Sequence, residues 1–254
     1  MTASADNMYL GAGILYFDRF DKDGNSTGER DLGHCSAFSL SNAVEKITKY
    51  SNRQSARRIY KEVIKQIDST AKTTVDDFDP ANVALALLGE EGLLSQTAQT
   101  GLSTKFKSKK DRWFKLNGRE VKNVVVKGSI AEKEKIFELG KDYTLDEISG
   151  RIYILPNGAI EDLLDITVTY DVPEKSYVKI SAASVGKIQG RLRFVGDPAV
   201  GPRYEAEFWK VSVAPDGELA LLGGDDFASF GLAITIEDDS ENHPMDPLYR
   251  LIKF

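Results

Sequence analysis

The sequence predicts a mainly β fold: a β-sandwich or split barrel with one flanking α-helix at about residues 79–90. Three observations predict it. Leu164, Ile166, Val168 and Tyr170 alternate with Asp165, Thr167, Thr169 and Asp171, the period-two pattern of a half-buried strand. Phe230, Leu232, Ile234 and Ile236 repeat that pattern near the C-terminal end. Helical spacing of apolar residues is confident only once, in Asp79–Glu90.

Taken in order, Tyr9 to Phe20 is aromatic and aliphatic, as a buried strand requires. Asp21-Lys-Asp-Gly-Asn25 resembles a calcium loop, but its glycine falls one position early and no distal glutamate follows. Asp-Gly turn chemistry is the better reading. Phe38, Leu40 and Val44 begin a second strand running to about Lys49. Ser51 to Arg58 is polar and basic and reads as an exposed loop. Ile59 to about Val75 is a long third strand. It carries Val63, Ile67, Ala71 and Val75 on one face, and Glu62, Gln66, Asp68 and Thr70 on the other.

The helix is marked at both ends. Asp79 suits the N-cap, Pro80 the first helical position, and Gly89 a left-handed stop. Val83, Leu87 and Leu88 are its expected core contacts. Leu93 to Arg112 reads as a loop ending in the basic cluster Lys105, Lys107, Lys109, Lys110 and Arg112. With no aromatic platform interleaved, that cluster reads as a solvated rim. Further strands are expected at 119–128, 151–155, 163–172, 177–185, 186–195, 203–214 and 227–237, with tight turns at Asn157-Gly158 and Asp216-Gly217. Asp238 to Pro247 is an acidic surface segment.

Composition bounds the function. With 254 residues, 41% of them hydrophobic, the chain can fill one large β domain or two small ones. A single domain over 1–254 is expected, with an insertion or second lobe within about 113–200. No apolar run reaches membrane-spanning length, and Met1 to Asp6 carries no signal-peptide pattern. Residues 1–127 hold 20 Lys and Arg against 16 Asp and Glu, whereas residues 128–254 hold 13 against 23. A net charge of −6 argues against a DNA-gripping protein.

Candidate chemistry is sparse. Cys35 is the single cysteine, and His34 and His243 are the two histidines, which leaves little for a zinc site or a Cys-His pair. Glu205 and Glu207 share a strand face at roughly 6.5–7 Å, a separation that glycoside hydrolysis can use. Solvated strand faces carry such pairs routinely. No P-loop, dinucleotide fingerprint or serine elbow is present. No catalytic residue, metal or cofactor is therefore expected.

Four stretches resemble the major tail tube protein of long-tailed bacteriophages, in the non-contractile, siphovirus-like group. They are Gly11-Ala-Gly-Ile-Leu-Tyr-Phe17 leading to Asp31-Leu-Gly33; Ile59–Val75 running into Asp77–Gly89; Gly140-Lys-Asp-Tyr-Thr144 with Gly150-Arg-Ile-Tyr153; and Phe208 to Val213 followed by Asp216-Gly217. The resemblance implies a structural virion protein, not an enzyme, made in the host bacterial cytoplasm. Its subunits would self-assemble into hexameric rings stacked as the tube for DNA ejection. It also implies a tape-measure protein and tail-completion or tail-tip proteins as partners, with viral DNA in transit and no membrane. On that reading Glu62, Gln66 and Asp68 face the lumen, and Arg53, Arg57 and Arg58 form an inter-ring loop pairing with Asp225-Asp226 or Asp238-Asp239 of a neighbour. The alternatives are a carbohydrate-binding or adhesion β-sandwich and a two-carboxylate glycoside hydrolase.

Overall fold

A computed structural model describes residues 8–130, 133–223 and 226–254. The chain divides into two compact units, Met1–Gly92 with Ile180–Phe254, and Leu93–Lys179. In chain order the elements begin with β1 (Gly13–Arg19), β2 (Arg30–Asp31), β3 (Cys35–Tyr50), β4 (Ile59–Val75) and helix α1 (Pro80–Ala86). There follow β5 (Glu90–Gln96), β6 (Gln99–Lys107), β7 (Arg112–Lys115), β8 (Lys122–Ile130), β9 (Lys133–Phe137), β10 (Tyr143–Asp146), β11 (Arg151–Ile154) and β12 (Asp165–Val172). The last are β13 (Lys175–Ser181), β14 (Ile188–Gly196), β15 (Tyr204–Pro215), β16 (Phe230–Ile236) and β17 (Tyr249–Lys253). The fold is mainly β with one helix.

The first unit is one antiparallel sheet in the order β2-β1-β14-β15-β16-β4-β3. β15 is shared lengthwise: Tyr204–Phe208 pair with β17, and Val211–Pro215 pair with β16. Alternation, reset by a register shift between Phe208 and Val211, places Leu192, Phe208, Val211, Val213, Leu232 and Ile234 on the buried face. Phe38 of β3 stacks on Phe194 of β14 at 5.5 Å between centroids. Three strands separate these two in the sheet order, so the sheet rolls until its inner face meets itself. The core lies inside that roll.

Helix α1 starts as the sequence predicts. Asp79 is extended and accepts a 2.8 Å hydrogen bond from the Asn82 amide. Its buried face differs from the expected one, however. Asn82, Ala84, Leu85 and Ala86 are buried, whereas Val83, Leu87 and Leu88 are only partly so. The helix is seven residues long, too short for Leu87 and Leu88 to belong to its periodic face. Asn82 explains the rotation: its Nδ2 donates to Leu32 O at 2.8 Å and Asp77 O at 3.0 Å, and its Oδ1 accepts from Arg30 Nη2 at 2.7 Å. A buried amide so fully paired fixes which side faces inward. The stop also differs. Leu88, not Gly89, takes the left-handed backbone, with φ 48°. Gly89 is needed for space, because a Cβ there would lie 2.7 Å from Ser181 O.

The second unit holds the inserted lobe, with bounds earlier than the expected 113–200. Its sheets run β6-β12-β8-β9 and β10-β11-β7. Leu116, Val126, Ile152, Ile154, Ile166, Val168 and Tyr170 form a separate core. The buried Tyr170 hydroxyl lies 2.7 Å from Thr104 Oγ1 and accepts from the Asn117 amide at 2.7 Å. Contrary to the loop expected over 93–112, β6 is an edge strand. Leu102, Thr104 and Phe106 point inward, and Lys105 and Lys107 face solvent, as edge strands often do to resist further pairing. β5 and β13 pair as a two-stranded ribbon.

Asp146 closes the β10–β11 turn. The Ser149 hydroxyl, then Arg151 Nη2 at 2.9 Å, then the Ser149 amide donate to its carboxylate. These donors hold its pKa at about 2 against the ordinary 3.8.

Two outcomes follow from this packing. Leu85→Ala removes a side chain 2% exposed and should destabilise the first unit by about 2–5 kcal/mol in denaturant melts. Leu87→Ala should cost clearly less, and equal losses would place the helix differently. Because the Asp146 pKa is depressed on folding, its stabilisation is complete above the unfolded value and lost as pH falls from about 3.8 to about 2. Carboxyl NMR should show a midpoint near 2 for Asp146, moving up in Arg151→Ala.

Candidate assembly surface

β3 and β4 outrun their sheet. β16 pairs with β4 only from Phe230↔Val75 to Thr235↔Thr70. Beyond that point β3 and β4 continue as a two-stranded arm to the turn at Ser51–Arg58. At strand rise the arm reaches roughly 30 Å past its last supporting strand. The turn closes with Ser51 N donating to Arg58 O at 2.8 Å.

The arm contains a parity switch that the sequence alternation conceals. Glu45 pairs with Gln66, but Lys46 pairs with Ile64, which leaves Lys65 as an extra residue. Such a bulge exchanges the two faces of β4 from Ile64 to Lys61, until a second extra residue, Tyr60, exchanges them back at Ile59. Val63 therefore sits opposite Ile47, on the face away from Ile67 and Ala71. Glu62 crosses the other way, next to Thr48 and within 2.8 Å of Lys46 Nζ. Of the expected lumen set, Gln66 and Asp68 share a face and are joined by a 2.7 Å hydrogen bond, whereas Glu62 lies on the opposite one.

Nine apolar side chains on these two strands are exposed: Leu40, Val44, Ile47, Tyr50, Ile59, Tyr60, Val63, Ile64 and Ile67. They lie on both faces of the ribbon, and soluble monomers rarely leave large apolar surface uncovered. Charge adds to it. Residues 42–67 hold seven Lys and Arg against two Asp and Glu. The rest of the first unit holds 11 against 24. Lys46 pairs with Glu62 and Lys65 with Glu45. Among the described residues Lys49, Arg53, Arg57, Arg58 and Lys61 make no ion pair. The distal arm is thus cationic and apolar on an otherwise acidic body.

The other predicted residues lie apart from the arm. Asp21 caps its turn, accepting from the amides of Asp23 at 2.9 Å and Asn25 at 2.8 Å, as turn chemistry requires. His34 Nδ1 meets Asp76 at 2.8 Å on the surface, and Cys35 is half-buried with its thiol pKa raised by burial. Among the described residues no group of His, Cys, Asp and Glu could hold a metal ion. Glu205 and Glu207 do share a face, but Arg193 Nη1 bridges them at 2.6 and 3.1 Å. Arg250 Nη2 reaches Glu207 at 2.6 Å. A guanidinium occupies the gap where a sugar would have to enter. Glu29, bound by Arg193 Nε at 2.8 Å, helps hold that guanidinium protonated.

Of the acidic loops expected to meet the arm, Asp225 lies outside the described residues. Asp239 is engaged within its own loop, by Asn242 Nδ2 and His243 Nδ1 at 2.8 Å each. Burial works against its charged form, but these two donors outweigh it and lower its pKa. His243 in turn stacks on Trp209 at 3.8 Å. Asp238 is exposed.

Residues 8–248 match the model of a family described as protein of unknown function UCP028589. The chain belongs to this family. No curated protein matches the chain. No helix among the described residues is long and apolar enough to cross a membrane. In sequence the arm showed as two long strand patterns around a basic loop, but the bulge that sorts its faces left no mark beyond Lys65 itself.

The bulge is directly testable in a Cys35→Ser background. Ile47→Cys with Val63→Cys should form a disulfide on mild oxidation, because those positions are directly opposed. Thr48→Cys with Val63→Cys should not. The reverse result would mean the strands pair without the bulge.

Proposed function

We propose that this protein is a self-assembling tube subunit, of the kind that stacks in hexameric rings to form the tail tube of a long-tailed bacteriophage. The observation that carries the reading is the β3–β4 arm. A two-stranded ribbon is marginal in water by itself, and this one also exposes apolar side chains on both faces. A second copy of the chain supplies what the arm lacks. Its acidic body complements the arm's cations, and its surface covers the apolar residues. Arg53, Arg57 and Arg58 at the tip then act as the contact between copies, a role the exposed turn supports.

The same reading revises the lumen. At the base of the arm one face of β4 enters the core through Ser69, Ala71, Thr73 and Val75. The opposite face presents Gln66, Asp68, Thr70 and Lys72, alongside Ser39, Ser41 and Ala43 of β3. That polar strip is the candidate wall for passing DNA, and its lack of clustered cations suits a duplex that must slide without sticking. Tape-measure and tail-end proteins, and a place in the virion, enter as parts of this proposal. The glycosidase reading loses its geometry to Arg193.

Negative-stain microscopy of concentrated protein should show rings or tubes, and a monomer persisting at every concentration would refute the proposal. Reversal of Arg57 and Arg58 to Glu should leave the circular dichroism unchanged and abolish tubes. Each exposed pair is worth at most about 1 kcal/mol, but the contact recurs in every subunit. High salt should weaken assembly in the same direction. Tubes of normal length from the double variant would remove the arm tip from the contact.

A further inference from the structure

The inserted unit carries an aromatic and charged platform that the tube reading does not call on. Trp113 of β7 and Tyr153 of β11 are directly opposed across the sheet. Their rings lie 5.2 Å apart at 41°, both on the outer face, and Trp113 is 48% exposed. The guanidinium of Arg151 sits 5.2 Å from the Trp113 ring, and the Tyr153 hydroxyl donates to Asp111. Underneath, Phe114 stacks on Phe106 at 4.2 Å and anchors the strand. The basic cluster seen in the sequence therefore does have an aromatic platform beside it.

A cavity of about 530 Å³ opens next to Trp113, lined among others by Lys107, Lys109, Arg112, Asp162 and Leu163. Cations and carboxylates are interleaved there. Lys107 pairs with Asp165 at 2.9 Å and Lys110 with Glu161 at 3.1 Å. Lys105, Lys109 and Lys115 make no ion pair among the described residues. Lys115 shares the outer face with Trp113, two residues away on one strand.

We propose that this surface binds an acidic polysaccharide, one whose repeating unit carries a carboxylate. Each feature has a use in that chemistry. The exposed ring faces stack against the C–H face of a pyranose. Adjacent Lys donors and Asp acceptors hydrogen-bond vicinal hydroxyls, which are donors and acceptors at once. The unpaired lysines meet the uronate charges. A nucleic acid fits less well. Asp111, Glu161, Asp162 and Asp165 lie among the cations and would repel a phosphate run, and the unit as a whole holds 15 Lys and Arg against 13 Asp and Glu.

The test uses the full chain titrated with oligogalacturonate, followed by tryptophan fluorescence and calorimetry. Binding should weaken about tenfold or more in Trp113→Ala, less in Trp113→Phe, and also in Lys109→Glu with Lys115→Glu. Neutral malto-oligosaccharide should bind more weakly than the acidic one. If Trp113→Ala does not fold, Tyr153→Ala and Trp113→Phe carry the comparison. Four results would overturn the proposal: no binding of oligogalacturonate, unchanged affinity in the aromatic variants, tighter binding of an oligothymidylate, or loss of self-association in Trp113→Ala. The last would make the platform an interface between copies. Because the saccharide assay needs no tubes, its failure and the failure of the tube reading remain separate.

Discussion

What β3 and β4 do beyond Thr70 depends on where β16 stops. Up to that point β4 is an interior strand, hydrogen-bonded on both edges, with one face in the core. One residue further it becomes one edge of a ribbon with free backbone groups along both sides. Free edges are templates for pairing, and proteins that stay monomeric blunt them with charge, bulges or cover. This arm has some of each device: lysines, an extra residue at Lys65, and paired Lys46–Glu62. None of them covers Ile47, Val63 or Ile64. A surface managed against random edge pairing but left apolar is what a specific contact requires.

The bulge shows how a sequence pattern can be right in its period and wrong in its consequence. Val63, Ile67, Ala71 and Val75 recur every four residues, and alternation assigns them to one face. That assignment holds from Ile67 to Val75, where β4 is flanked by β3 and β16 or lies just beyond. It fails at Val63, because the unpaired Lys65 inverts the side chains between it and the second extra residue, Tyr60. Bulges depend on how two strands meet, and neither strand records the meeting alone. Strand existence was legible for most of the first unit, and Ile59–Val75 coincides with its expected bounds. Helix polarity was legible as well, through Asp79 and Pro80. The face of the helix was not, since Asn82 reads as polar and yet is fully buried, drawn inward in part by the Leu32 carbonyl, distant in sequence.

The inserted unit was the least legible part. Its β6 carries Lys105 and Lys107 around Phe106, and a high local charge conceals an alternation of only three inward residues. β7, β10 and β11 are four residues each, below the length at which periodicity separates strand from turn. The platform around Trp113 needed the register of β7 against β11 before it existed as a site. A tryptophan adjacent to Arg112 was the one available signal, and an exposed ring cannot be told from a buried one without its neighbours.

Charge makes sense only once the units are separated. The two halves of the sequence differ in net charge, but the division falls inside β8 and corresponds to no physical body. Grouped by unit, the inserted lobe is near neutrality and the first unit is strongly acidic, with its cations concentrated on the distal arm. On the proposed reading, a basic arm on an acidic body would be self-complementary across copies. Within one chain only Lys46 and Lys65 of the arm's cations are paired among the described residues, by Glu62 and Glu45. Each ionic contact formed across copies is weak and screened by salt. Strength must then come from burial of the apolar residues interleaved with the charges, each a candidate for about 1.5–3 kcal/mol when fully covered. On the proposed reading, charge would set which surface meets the arm, and burial would decide whether it stays.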